Sequence, residues 1–146
     1  APNVNSYKRF VPGSFAPTAI RWGRDNRTCA LRLVGHGPSL RLENRTAGGD
    51  VNPYLFLAAV LGSALVGIED KLVPPAPIEG SAYNQALPQL PTTWADAIEA
   101  FEKSTLARRI FDPQLVQNLL STKRQEMKYF AELTPEEQLD LYLDTV

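Results

Sequence analysis

Hydrophobic and polar positions change rhythm along the chain. Between Ala19 and Thr46 the apolar residues come in short runs, AIRWG, TCALRLVG and SLRLENRT, separated by the turn-forming pieces GRDNR and GHGP. Short apolar runs with that punctuation predict β-strands, and their proximity predicts antiparallel pairing. In the last run Arg41, Glu43 and Arg45 alternate with Leu40 and Leu42. Strand side chains alternate between faces, so the three charged residues share one face and the leucines the other, which is expected to meet the core.

From Pro53 to Ile68 nearly every position is apolar. Asn52 is placed to cap a helix with Pro53 in its first turn, and the helix is expected to run to about Leu72. A helix apolar on almost all sides predicts burial inside a larger body. The run is interrupted by Gly62 and Gly67 and falls short of the roughly 20 residues of a membrane span. Residues 73–92, with Pro74, Pro75, Pro77, Pro88 and Pro91, predict an ordered, extended surface connector. Thr93 then caps a helix with Trp94, Ile98 and Phe101 on one stripe. Asp112 and Pro113 open another that carries Leu115, Leu119, Leu120 and the amphipathic KRQEMKYF. Thr134, Pro135 and Glu137 supply cap, first-turn proline and capping-box acid for a short terminal helix. Strands followed by helices predict an α+β fold: active-site strands and core helix in 1–72, connector in 73–92, helices in 93–146.

A composition of 44% hydrophobic and 21% charged residues fits one globular domain or part of one. Net charge changes the picture. Of 15 Lys and Arg, eight lie in residues 1–46, against only Asp25 and Glu43 of the 16 acids, so the overall charge of -1 hides a basic segment suited to an anionic partner. Cys29 is the one cysteine, lies in an apolar run and is expected to be a buried thiol. With no charged-then-apolar leader in the first residues, this favours the cytoplasm.

Arginine's planar donors grip carboxylates and phosphates in pairs. A carboxylate such as Glu43 among them is what a Mg²⁺ or Mn²⁺ ion bridging nucleotide phosphates would use. Two other readings stand beside ATP and metal binding. Arg41, Glu43 and Arg45 form ion pairs of little consequence on a sheet surface, or Tyr7, Phe10, Phe15 and Trp22 stack on nucleic acid beside the basic residues. The irregular aromatic spacing and the acidic C-terminal half weigh against nucleic acid. Ser6 and Ser14 have no local partner base, and His36, the only histidine, sits in a turn without a second ligand.

Four segments in close order, NSYKRFVPGSFAP, WGRDNR, LRLENR and GGDVNPYLFLAAVLGSALVGIE, resemble the C-terminal part of the catalytic domain of the glutamine synthetase family. The resemblance is strong over residues 2–72 and looser in the later helices. It implies an ATP-dependent ligase joining the γ-carboxylate of glutamate to ammonia or an amine through γ-glutamyl phosphate, with Mg²⁺ or Mn²⁺. It assigns glutamate binding to Arg9, Arg27 and Arg45, ATP contacts to Arg27, Arg32 and Arg41, and metal ligation to Glu43. Arg27 would be the catalytic residue between glutamate and the transferring phosphate. Ammonia-using members carry a glutamate in the loop that matches GSFAP, where this chain has Phe15. A phenyl ring accepts no proton, so Phe15 is the candidate for an apolar amine site, and γ-glutamyl-amine or polyamine ligases are the nearer likeness. Pro38 stands where many relatives have a phosphate-binding lysine. Family members are several times longer, so the resemblance implies a C-terminal fragment, inactive alone, of a ring-shaped homo-oligomer (a dodecamer by that likeness), with no nucleic-acid or membrane partner. A non-catalytic structural or sensing relative on the same scaffold is the alternative of another class.

Overall fold

The computed structural model describes residues 2–145; Ala1 and Val146, at the ends of the predicted segments, lie outside the described residues. Three strands, β1 (Ala19–Arg24), β2 (Cys29–Val34) and β3 (Arg41–Asn44), form one sheet in that order. The turn before β3 needs glycine, because Gly35 has φ 88° and a Cβ there would collide with the Ser39 carbonyl. Strands β2 and β3 then pair antiparallel, as predicted, with Arg32 directly opposite Glu43 and Leu33 opposite Leu42. The β1–β2 pair departs from expectation: it is parallel, with Gly23 beside Arg32 and Arg24 beside Leu33.

Residues 25–28 explain that reversal. Parallel neighbours usually need a crossover of about a dozen residues, but here the turn winds tightly back. Asp25 adopts φ 47° and its N–H donates to the Leu33 carbonyl at 2.9 Å. The Asn26 amide oxygen accepts from the Thr28 N–H at 3.0 Å and its hydroxyl at 2.7 Å, restarting the chain in its original direction. Polar turn residues mark where a strand stops, not which way the next one runs.

The connector lies along the outer edge of β1 and is extended apart from the 3₁₀ turn Ala82–Asn84. Ile20 N–H donates to Pro88 O (2.8 Å), Leu90 N–H to Thr18 O (2.8 Å) and Ile78 N–H to Trp22 O (2.9 Å). Proline has no N–H to give but keeps its carbonyl, so a Pro-rich strip can cover a sheet edge without extending it.

Helix α1 (Pro53–Glu69) starts where predicted: the Asn52 side chain accepts from the N–H groups of Tyr54 and Leu55 at 3.0 and 3.1 Å. It stops just short of the predicted Leu72, where Lys71 takes φ 52° and Leu72 N–H bonds Gly67 O at 2.9 Å. Replacing Asn52 with alanine is expected to cost about 1 kcal/mol, read as a shift in the denaturation midpoint of the whole protein with unchanged slope.

Burial of α1 is where the structure corrects the sequence reading. Only Val66 of this helix is buried, while Tyr54, Leu57, Leu61, Leu65 and Ile68 are exposed. Leu40 and Leu42 are exposed as well, so the apolar face of β3 does not meet a core. The pattern encodes a demand for cover, and the described residues supply it only in part. Gly62 admits one neighbour: a Cβ there would meet Ile110 at 2.5 Å. That contact seats the short α3 (Thr105–Ile110), whose Arg109 donates to Asp70 at 2.6 Å beyond the end of α1.

The core of the described residues lies among α2 (Trp94–Lys103), α4 (Pro113–Ala131) and α5 (Pro135–Thr145), around Trp94, Ile98, Val116, Leu120 and Phe130. Trp94 meets Phe130 edge-on at 6.0 Å, and Tyr142 stacks on Phe130 at 4.8 Å. Thr93, Asp112 and Thr134 cap these helices as predicted. No helix among the described residues is long and apolar enough to cross a membrane.

Candidate active site

Strand pairing brings the charged residues together. With Arg32 and Glu43 paired across β2 and β3, their side chains share a face, and Arg32 Nη1 donates to Glu43 Oε2 at 3.0 Å. Arg45 continues the ladder, its N–H bonding Ala30 O at 2.8 Å, and its Nη1 lies 3.1 Å from Glu43 Oε1. Both oxygens of Glu43 thus hold arginines. The bond from Arg32, reinforced by Arg45, keeps the Glu43 carboxyl below its ordinary value. Arg32 also grips Asp25 through Nε at 3.0 Å, and that bond raises the guanidinium pKa further.

Arg45 is the hub. Its Nη2 donates to the Phe15 carbonyl at 2.8 Å and its Nε to the Arg27 carbonyl at 3.2 Å. Arg9 reaches the same strand from the 3₁₀ turn Val4–Arg9, giving Nη2 to Arg45 O at 2.6 Å and Nη1 to Thr46 O at 3.4 Å, while its guanidinium lies 4.9 Å from the Phe10 ring centre. Phe15 is 60% exposed and has φ 58°, a backbone region that favours glycine. The bond from Arg45 and the Ser14 hydroxyl, which donates to Val11 O at 2.6 Å and accepts from Ala16 N–H at 3.2 Å, hold the loop in that shape.

Of the predicted residues, Arg9, Arg27, Arg32, Glu43, Arg45 and Phe15 are linked by one chain of contacts. Arg41 is apart from it: paired with Val34 at the far end of β3, it donates to Ser39 O at 3.2 Å. Arg27 contributes its carbonyl to the cluster, has no ion pair among the described residues, and lines, with Phe15, a cavity of about 640 Å³. Asp25, which the sequence reading does not single out, joins the cluster through Arg32; an acid inside an arginine-rich turn is the signal for it. Burial pushes the Cys29 thiol up, and burial with the charge of Asp50 pushes the Tyr7 hydroxyl up to about 12, so neither supplies an anion near neutral pH.

A divalent cation of the Mg²⁺ type takes about six oxygen ligands. No group of three or more His, Cys, Asp or Glu able to hold a metal exists among the described residues, so these residues alone do not form such a site and Glu43 can be no more than one ligand.

The fold matches a solved GmaS/ADP complex with a TM-score of 0.75 and 33% identity, over 95% of this chain and 34% of that one. The description "Glutamine synthetase, catalytic domain" fits residues 1–142, and the chain belongs to the glutamine synthetase family. It is 54% identical over 130 residues to γ-glutamylethanolamide synthetase of Streptomyces coelicolor, covering 89% of this chain and 28% of that protein. Against type-1 glutamine synthetase 2 of Dictyostelium discoideum the identity is 37%, over all of this chain and 29% of that protein. The chain thus spans less than a third of the length of these curated relatives.

Proposed function

We propose that the whole protein is an ATP-dependent ligase that joins the γ-carboxylate of glutamate to an amine by way of γ-glutamyl phosphate, and that residues 1–72 supply the arginine-rich side of its site. The observation that carries this reading is the convergence on Arg45, which touches Glu43, Phe15 and Arg27 with one guanidinium. A carboxylate nucleophile and a transferring phosphoryl group both demand fixed positive charge, and arginine supplies it at any physiological pH. In this reading Arg9, Arg27 and Arg45 bind glutamate, with Arg27 also meeting the phosphate. Arg32 and Arg41 serve the nucleotide, and Glu43 gives one oxygen to the Mg²⁺ or Mn²⁺ that the family uses with ATP. Arg32, committed to Asp25 and Glu43, helps hold the carboxylate that also holds Arg45.

An amine with a carbon substituent is the preferred acceptor. Phe15 brings an exposed ring to the cavity rim and has no group to pair with ammonium. The relative most like this chain of the two named above bears the name of an ethanolamide synthetase. A homo-oligomer in the cytoplasm is the expected setting, the latter because the fully buried Cys29 suits a reducing compartment.

The test is phosphate release from ATP by the whole protein with glutamate and a panel of acceptors: ammonium, ethanolamine, isopropylamine and a diamine. The expected result is a kcat/KM at least about tenfold higher for one of the carbon-bearing amines than for ammonium. Preference for ammonium contradicts the Phe15 argument, and release that does not depend on glutamate contradicts the ligase reading.

A further inference from the structure

The cavity between the Phe15 loop, the 25–28 turn and the connector is lined by Phe15, Arg24, Asp25, Arg27, Ile78 and Glu79 among others. Its two carboxylates differ. Asp25 is held by Arg32, whose bond keeps the Asp25 carboxyl below its ordinary value. Glu79 has no ion-pair partner among the described residues. Its backbone is nonetheless firmly placed. Ile78 N–H bonds Trp22 O at 2.9 Å, Asn26 Nδ2 donates to Ile78 O at 3.3 Å and to Gly80 O at 2.7 Å, and Gln85 Nε2 donates to Glu79 O at 3.0 Å. The pinned backbone fixes where this exposed residue leaves the connector, and from there it lines the cavity.

The chemistry of the acceptor gives that placement a role. Alkylamines are mostly protonated at neutral pH, and a cation that enters this cavity meets the guanidiniums of Arg24 and Arg27, which no ion pair among the described residues neutralises. Repulsion between like charges has to be offset nearby, and Phe15 offers only the weak attraction of a ring face. Glu79 is the carboxylate at this cavity with its charge uncommitted.

We propose that Glu79 binds the ammonium group of the acceptor before reaction, so that the connector, together with the Phe15 ring, selects alkylammonium substrates. The inference rests on the ligase reading and adds to it the class of acceptor and the residue that recognises it.

The experiment compares kcat/KM of the whole protein for ethanolamine, a cation at neutral pH, with that for hydroxylamine, which is uncharged there. Glu79→Gln is expected to lower the ethanolamine-to-hydroxylamine ratio about tenfold, the scale of one charge-assisted contact, with the KM for glutamate unchanged. Glu79→Asp is expected to recover part of the ratio. An unchanged ratio in Glu79→Gln, or equal losses with both acceptors, overturns the proposal and leaves the ligase reading intact. A wild-type protein that releases no glutamate-dependent phosphate with any amine of the panel or with hydroxylamine overturns the ligase reading, and this proposal with it.

Discussion

Glu43→Gln in the whole protein is expected to lower glutamate-dependent phosphate release by about 10²-fold or more. The substitution keeps the shape and removes the charge on which two arginines depend. Their side chains are only 13% (Arg32) and 18% (Arg45) exposed, so water does little to replace the lost carboxylate. Arg45 also fixes the Phe15 and Arg27 carbonyls, and a displacement of about 1 Å in such a support is worth about 10² in rate. Asp25→Asn makes the contrast. Asp25 binds the same Arg32, but at 72% exposure its pair is solvated, and Glu43 remains to hold the guanidinium. The loss there is expected to be under about tenfold. Steady-state kinetics of the two variants under identical conditions decide the matter; equal losses would show that the cluster does not organise the site.

The second large effect is expected at Arg27. This exposed residue lines the cavity, has no ion pair among the described residues, and its backbone carbonyl is tied to Arg45. In the proposed reaction its charge acts where charge develops during phosphoryl transfer, and removing one such donor typically costs about 10²–10³ in kcat. Arg27→Ala is therefore expected to lower kcat by that factor and to change the KM for glutamate only a few-fold. Arg9→Ala serves as the comparison, because Arg9 grips glutamate in the proposed assignment and such a residue raises KM when removed. A loss in Arg27→Ala that falls wholly on KM contradicts the assignment.

Which parts of this molecule were legible in its sequence follows from how local each cause is. Asn52, Thr93, Asp112 and Thr134 act on N–H groups within three residues of themselves, so the helix starts could be read directly. Helix α3, capped by Ser104, was missed because six residues carry too little of a 3.6-residue period to be seen. The parallel β1–β2 pair depends on the backbone path at Asp25 and Asn26, which composition does not specify. The exposure of α1 depends on what lies beside it, a relation between segments and not a property of one. Alternation in LRLENR placed Glu43 and Arg45 on one face, and that much of the site was visible. Sequence alone did not show that Arg32 stands opposite Glu43, which depends on the register of the β2–β3 pair, or that the connector borders the Phe15 cavity, which depends on contact between segments about 50 residues apart.

The account is tested most directly by following oxygen. In the proposed reaction the γ-carboxylate of glutamate attacks the terminal phosphorus of ATP, and the amine then attacks the acyl carbon and expels phosphate that carries the former carboxylate oxygen. Glutamate labelled with ¹⁸O in its γ-carboxylate, turned over by the whole protein with ATP and ethanolamine, is expected to yield phosphate bearing one labelled oxygen per γ-glutamyl amide formed. Amide formation with unlabelled phosphate, or phosphate released with no amide at all, contradicts it.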